Sequence, residues 1–457
     1  MKIAALIRLL FVILLINTQT GIQAQTVYQP NWKSLDSRPM PQWFTNAKFG
    51  IFIHWGLYSV PAWATNSNAD GFGSNYAEWY WERLNNKKLK IHQEFVDFHN
   101  KNYGPNFSYQ DFVTGFKAEL FNPDQWAKIF KDAGAKYVVL TSKHHDGFAL
   151  WPSRESWNWN AMDVGPKRDL AGDLSKAIKA SGLHMGFYYS LYEWYNPLYQ
   201  QDVHKYVNEH MLPQMKDLVN RYKPDIVWPD GEWGQSDTTW RSTEFVSWLF
   251  NESPVKETVV VNDRWGTKER IHGSFTTTEY GHGNASLTKP WEECRGIGES
   301  FGFNRNENLE QYLSSGALIN LLVDVVSRGG NLLLNIGPAA DGTIPVIMQQ
   351  RLKDMGDWLN INGEAIYETT AWKDAPVKKD IPVYYTRKGN DVYVISTKWQ
   401  PSIHIAGIKK GKVTMLGYNG SVKQQQKGSE IIITAPALTP AINPSQYAWV
   451  YKISGAF

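Results

Sequence analysis

An α/β chain, a (β/α)8-like (TIM-type) catalytic barrel followed by a C-terminal antiparallel β-sandwich, is the fold this sequence predicts. Three observations carry it. From about residue 120 a stretch with helical periodicity, a Gly or Pro stop and a short apolar strand recur in that order. The strands end on polar side chains. Past about residue 370 the helical period gives way to short β segments separated by Gly-Asn and Lys-Gly turns. The expected divisions are a signal peptide at 1–24, a barrel at 25–370 and a sandwich at 371–457.

The leader "MKIAALIRLLFVILLINTQTGIQAQ" places Lys2 and Arg8 before an apolar core at Leu9 to Ile16, with small Ala24 before a cleavage site. That core is shorter than the roughly 20 residues a membrane span needs. The mature protein is therefore expected to be exported, periplasmic or secreted, with no membrane attachment after cleavage. Cys294 is the only cysteine, so no internal disulfide is expected.

In the barrel region, "PDQWAKIFKDAGAKYVVLTSK" sets Trp126, Ile129, Phe130 and Ala133 at helical spacing, stops at Gly134 and continues as a strand through Val138 to Leu140. "DLAGDLSKAIKASGLHMGFYYS" repeats the pattern with Gly182, "MLPQMKDLVNRYKPDIVWPD" with Pro224, "TEFVSWLFNESPVKETVVVNDRW" with Pro254, and "LINLLVDVVSRGGNLLLNIGP" with Gly329 and Gly330. Helix alternating with a buried strand is the signature of a parallel sheet. "KFGIFIHWG", "KYVVLTSK", "MGFYYS", "DIVWPDG", "TVVVNDRW", "SFTTTEY" and "NLLLNIG" make seven strands, and closure of a barrel calls for a hidden eighth. An open doubly wound sheet would place a glycine-rich phosphate turn after its first strand, and none occurs. No cofactor is expected.

Composition narrows the function. A hydrophobic fraction of 42%, a charged fraction of 20% and a net charge of +3 argue against disorder, a membrane-embedded body and a nucleic-acid partner. The 21 Trp, 23 Tyr and 20 Phe include several in polar, turn-rich sequence, where broad rings suit the apolar faces of sugars.

The polar strand ends then supply chemistry, because the carboxyl ends of barrel strands converge on one face. Asp230 and Glu279 end different strands, the arrangement a retaining glycosidase needs for its nucleophile and its acid/base; the bland alternative is that each pairs with a cation such as Arg264. His54, His144 and His145 suit hydrogen bonds to sugar hydroxyls, with a zinc site as the rival reading. Glu78 and Trp79 lie in a loop able to offer a hydrogen bond and a stacking face, or else in an ordinary helix start. A carbohydrate-binding protein without catalysis is the remaining alternative.

Taken together, "FGIFIHWGLYSVPAW", "YAEWY", "LTSKHHDGFALWPS", "GPKRDL", "FYYS", "WPDGEW", "VNDRWG", "TTTEYG", "WEECRGIGESFGFNRNE" and "GGNLLLNIGPAADGTI" resemble the alpha-L-fucosidases of glycoside hydrolase family 29, from residue 48 to beyond 340. The resemblance implies a catalytic barrel with a β-sandwich, no metal, net retention of configuration and a fucosylated glycan as substrate. It maps the nucleophile onto Asp230, in a Trp-x-Asp strand end that includes Trp228. It places His54, Glu78, Trp79, His144, His145, Tyr188 and Arg264 around the sugar. For the acid/base it offers Glu279, in Thr-x-Glu-Tyr, with Glu292, in the Trp-Glu segment, as the alternative; Glu279 is preferred because it ends a barrel strand. Assembly into a homo-oligomer is left open.

Overall fold

The computed structural model describes residues 26–281, 289–376, 383–408 and 411–457; the expected leader lies outside the described residues. Eight strands, β1 (Phe49–Ile53), β2 (Tyr137–Lys143), β3 (His184–Ser190), β4 (Ile226–Asp230), β5 (Val260–Val261), β6 (Thr276–Glu279), β7 (Trp291–Gly296) and β8 (Asn331–Ile336), form one sheet in the order β5-β4-β3-β2-β1-β8-β7-β6. Every pairing in it is parallel. Because β8 pairs with β1, the sheet curls into a barrel whose seam lies between β5 and β6. Single bonds close that seam: Ser274 N donates to Val261 O at 2.8 Å, and the Asp263 carboxylate accepts Thr277 N at 3.1 Å and Thr277 Oγ1 at 2.7 Å. β5 is short because Asn262 and Asp263 follow at once, and Asn262 Oδ1 takes the Arg264 N–H at 3.2 Å in place of a ladder partner.

The hidden eighth strand is β7, "WEECRG". Two glutamates and an arginine conceal it from any apolar pattern, yet all but Arg295 are buried.

Helices cover the outside. Pro123–Asp132 begins where Asn122 Oδ1 accepts Gln125 N at 3.0 Å and Pro123 supplies a preset helical φ. Its Trp126, Ala127 and Phe130 face the sheet, and each large ring contributes roughly 1.5–3 kcal/mol by leaving water. Asn122→Ala would remove about 1 kcal/mol of that cap. Asp169 and Ser314 cap Leu170–Ala180 and Ser315–Ser327 in the same way.

The two-residue period of a strand decides what points into the barrel. Ile51, Ile53, Val138, Leu140, Phe187, Val227, Leu332 and Leu334 pack outward against the helices. Phe52, Val139, Tyr188, Trp228, Phe275, Cys294 and Leu333 form a separate interior cluster. Stepping two residues on from these interior positions carries His54, Asp230 and Asn335 inward at the carboxyl ends; four on from Phe275 lies Glu279.

Beyond the helix Val346–Asn362 the chain forms two antiparallel sheets. β9 (Thr370–Ala371), β10 (Val383–Lys388), β11 (Asp391–Ser396), β13 (Lys412–Met415) and β16 (Trp449–Ser454) make one, in the order β13-β16-β11-β10-β9. β12 (Ser402–Ala406), β15 (Glu430–Thr434) and β14 (Lys423–Lys427) make the other. Val394, Ile405, Met415, Ile431, Ile433 and Ile453 belong to the core they share, as a sandwich requires. The sandwich docks on the barrel through Trp358 Nε1 to Ala448 O at 3.0 Å and Thr386 Oγ1 to Ala365 O at 2.6 Å.

Candidate active site

A cavity of about 620 Å³ opens at the carboxyl ends of the strands. Ten of the eleven residues singled out from the sequence line it: His54, Glu78, Trp79, His144, His145, Tyr188, Trp228, Asp230, Arg264 and Glu279. Glu292 does not.

Asp230, the last residue of β4, is buried. Its Oδ1 accepts Arg264 Nη1 at 2.7 Å and its Oδ2 accepts the Tyr188 hydroxyl at 2.9 Å. Burial alone would raise its pKa; the Arg264 charge and these hydrogen bonds outweigh it and hold the carboxyl below its ordinary value. Glu279, the last residue of β6, meets the other arm of the same guanidinium, with Arg264 Nη2 3.3 Å from Oε2. Its Oε1 accepts the Tyr76 hydroxyl at 3.1 Å, and the side chain stays 25% exposed, open to the cavity. One arginine thus spans two carboxylates in different surroundings. Burial acts against the Arg264 charge, but Asp230, Glu279 and Glu232 together raise its pKa. Its Nε donates to Thr277 Oγ1 at 3.1 Å and its guanidinium lies 4.6 Å over the Trp228 ring.

The histidines are held neutral. β2 ends at Lys143, so His144 and His145 sit in the following turn and both reach the cavity. Ser190 Oγ donates to Tyr192 O at 2.6 Å, so it accepts from His145 Nδ1, also at 2.6 Å. That places the ring proton on Nδ1 and leaves the Nε2 lone pair 3.8 Å from Asp230 Oδ2. Asn335 Nδ2 donates to Phe301 O at 2.7 Å, which turns Asn335 Oδ1 toward His54 Nδ1, also at 2.7 Å; His54 Nε2 is likewise left as an acceptor. Burial lowers His54 to about 3 and His145 to about 4. Burial also lowers His144 well below its ordinary value; it stacks on Tyr188 at 5.6 Å, and its buried Nδ1 has no partner. Among the described residues no group of three or more His, Cys, Asp or Glu side chains is arranged to hold a metal ion.

Glu78 lies in a short 3-10 turn, Ala77–Trp79, that leads into the helix Tyr80–Asn85. Its Oε2 accepts Gly302 N at 2.8 Å and Ser300 Oγ at 3.3 Å, and burial raises it to about 7. Trp79 meets His145 edge to face at 5.3 Å. Together these groups offer a buried, hydrogen-bonded carboxylate, a second carboxyl open to the cavity, and several acceptors for hydroxyl protons.

Glu292 sits lower. It pairs with Thr277 across the ladder, whereas Glu279 pairs with Cys294; two residues of strand put it about 7 Å beneath. Its Oε1 accepts Trp228 Nε1 at 2.9 Å, its Oε2 accepts the Tyr137 hydroxyl at 2.6 Å, and burial raises it to about 7.

Sequence reasoning missed Tyr76, although it opens the "YAEWY" segment: its bond to Glu279 joins residues 203 positions apart, and nothing within the segment shows that bond. It also missed Arg270, which lines the cavity and pairs with buried Glu232 at 2.5 Å. Glu232 and Trp233 had a signal: they stand two and three positions after Asp230 in "PDGEW".

Comparison with known proteins gives the family of the chain. The family described as Alpha-L-fucosidase matches residues 15–364, and its C-terminal domain matches residues 378–454. The chain is 45% identical to the tissue alpha-L-fucosidase of Homo sapiens over 446 residues, covering 94% of this chain and 92% of that one. It is 44% identical to the alpha-L-fucosidase of Branchiostoma floridae over 448 residues, covering 94% and 96%. The crystal structure of Thermotoga maritima alpha-fucosidase in complex with a mechanism-based inhibitor superposes with a TM-score of 0.80 at 38% identity, covering 93% of this chain and 99% of that one. This chain therefore belongs to the alpha-L-fucosidase family of glycosidases.

Proposed function

We propose that this protein releases terminal L-fucose from the alpha-L-fucosides of oligosaccharides or glycoconjugates, acting from the chain end and with net retention, through a covalent fucosyl intermediate. The observation that carries the reading is the Arg264 guanidinium, bonded at once to Asp230 and Glu279 at the ends of β4 and β6. A shared guanidinium favours the close spacing of a retaining pair, about 5 to 5.5 Å, over the wider gap that an inverting pair leaves for water.

In the first step Asp230, ionised, attacks the anomeric carbon as the glycosidic bond breaks, while Glu279 in its acid form gives its proton to the departing oxygen. The product is a fucosyl ester on Asp230 and a Glu279 carboxylate. In the second step Glu279 takes a proton from water as the water oxygen bonds to the anomeric carbon, and Asp230 leaves as carboxylate. Arg264 faces one negative carboxylate throughout, first Asp230 and then Glu279. The His54 and His145 lone pairs accept ring hydroxyls, which lets the site reject a sugar with a misplaced hydroxyl more strongly than an apolar pocket could. The Phe52, Trp228 and Phe301 rings offer an apolar wall to the 6-methyl group.

The test is hydrolysis of 4-nitrophenyl alpha-L-fucopyranoside. Asp230→Ala should lose at least about 10³-fold in kcat while keeping its fold; near-normal turnover would remove Asp230 from the mechanism. Glu279→Ala should keep much of its rate on this activated substrate, lose it on disaccharides, and regain rate with azide. Azide rescue of a Glu292 variant instead would move the acid/base there.

Among the described residues no helix is long and apolar enough to cross a membrane. We read residues 1–24 as an export signal that delivers the enzyme to the periplasm or medium, and N-terminal sequencing of the mature protein should begin at Gln25.

A further inference from the structure

The cavity extends past its catalytic groups to a rim where Phe72 is 68% and Trp233 51% exposed. The two rings stand on different sides. Trp233 packs against His145 at 5.4 Å and Trp79 at 6.2 Å, on the side of Asp230. Phe72 stands edge-on to Tyr76 at 5.6 Å and to Tyr280 at 5.7 Å, and Tyr76 is the residue that donates to Glu279.

An exposed ring is unremarked when its loop is loose. This loop is pinned. The Asp70 carboxylate accepts Lys90 N at 3.1 Å and Ile91 N at 3.0 Å, at the start of the helix His92–Asn102. Ser74 donates to Gly71 O through N at 3.1 Å and through Oγ at 2.7 Å. Gly71 (φ +84°) and Gly73 (φ +79°) flank Phe72 with a backbone that side-chain-bearing residues rarely adopt, and this turns the ring out over the cavity. The fold thus holds an apolar face in water beside the acid, where it adds little to the core. The charges nearby are already matched: Arg270 to Glu232, and Arg83 to Glu82 at 2.6 Å and Gly73 O at 3.1 Å.

We propose that Phe72 is the platform of an acceptor subsite that takes a neutral pyranose, the sugar on the reducing side of the scissile bond, by its apolar C–H face. The inference rests on Glu279 being the acid, since the leaving group departs on the acid's side. It follows that a sugar bound on Phe72 also competes with water for the intermediate. Its hydroxyl gives a proton to the Glu279 carboxylate as its oxygen bonds to the anomeric carbon and the ester bond to Asp230 breaks.

The experiment uses the full mature chain with alpha-L-fucosyl fluoride as donor, which has no aglycone sugar, and methyl β-D-galactopyranoside as added acceptor. The ratio of transfer product to free fucose is read by chromatography. Phe72→Ala should lower that ratio roughly 5- to 10-fold, the size of one ring contact, and Phe72→Trp should restore it. An unchanged ratio in Phe72→Ala, or no transfer product from the wild type at saturating acceptor, overturns the subsite. Failure of the wild type to release fucose from the fluoride would instead overturn the proposed function itself.

Discussion

Arg264 is the residue on which the electrostatics of the site turn. It is buried, bonded to both carboxylates, and seated on Trp228. Burial raises the Asp230 pKa and Arg264 is the main influence lowering it, so the ionised form of Asp230 depends chiefly on this cation. Arg264→Met should reduce kcat/KM by roughly 10²-fold or more, taking about 3 kcal/mol for breaking a buried pair. It should also move the acid limb of the kcat/KM profile to higher pH, because Asp230 then needs less acid to become protonated. A limb that stays in place would show that another group sets it. At this scale the sequence was legible wherever a residue ended a strand: Asp230, Glu279 and His54 could be read from their own neighbours. Tyr76 could not, because its role is a hydrogen bond to a residue far along the chain.

Among the elements, β7 was the one concealed. Its interior face carries Glu292 and Cys294 where other strands carry Phe52, Val139 or Leu333, so the apolar signal of a buried strand is missing. Glu292 tethers two rings, Tyr137 and Trp228. Trp228 in turn stacks on Tyr188 at 5.8 Å and lies beneath Arg264, the two groups that bond Asp230. We propose from these contacts that Glu292 is a positioning residue that acts through the cavity floor. Glu292→Leu leaves a buried N–H and a buried hydroxyl unpaired, at about 1–3 kcal/mol each, and should lower kcat without azide rescue. Glu292→Gln, which can still accept from Trp228, should recover most of the rate. Recovery with azide in Glu292→Leu would contradict the positioning role.

For the molecule as a whole, the buried carboxyls link stability to pH. Glu292 is held near 7 in the fold by burial, against 4.5 as its ordinary value. The folded state therefore keeps a proton that the unfolded chain releases between these values, and the stability this provides is present below about 4.5 and lost as pH rises through 7. His54 and His145, at about 3 and about 4, act in the opposite sense: they cost stability as pH falls below 6.5. In Glu292→Gln the histidine contribution is unchanged and the carboxyl contribution is gone. Its stability relative to the wild type should rise by about 1.4 kcal/mol per pH unit between roughly pH 5 and 7, measured by denaturant unfolding. The two domains also share an apolar interface: Trp358 on the last barrel helix packs in one cluster with Tyr393, Ile395, Ala448 and Val450 of the sandwich. A chain ended at residue 369 should expose that cluster and fail to give soluble, folded barrel, as judged by gel filtration and near-UV circular dichroism. What the sequence determined by itself was the order of elements, the change of architecture near residue 370 and the strand-end residues, because strand and helix periods and turn residues are local. Only the tertiary structure decided that Arg264 joins Asp230 to Glu279, that Glu292 lies beneath the site rather than in it, and that Phe72 overhangs it. Those outcomes depend on strand register and barrel closure, which bring together residues up to hundreds of positions apart and leave no mark on any short stretch of chain.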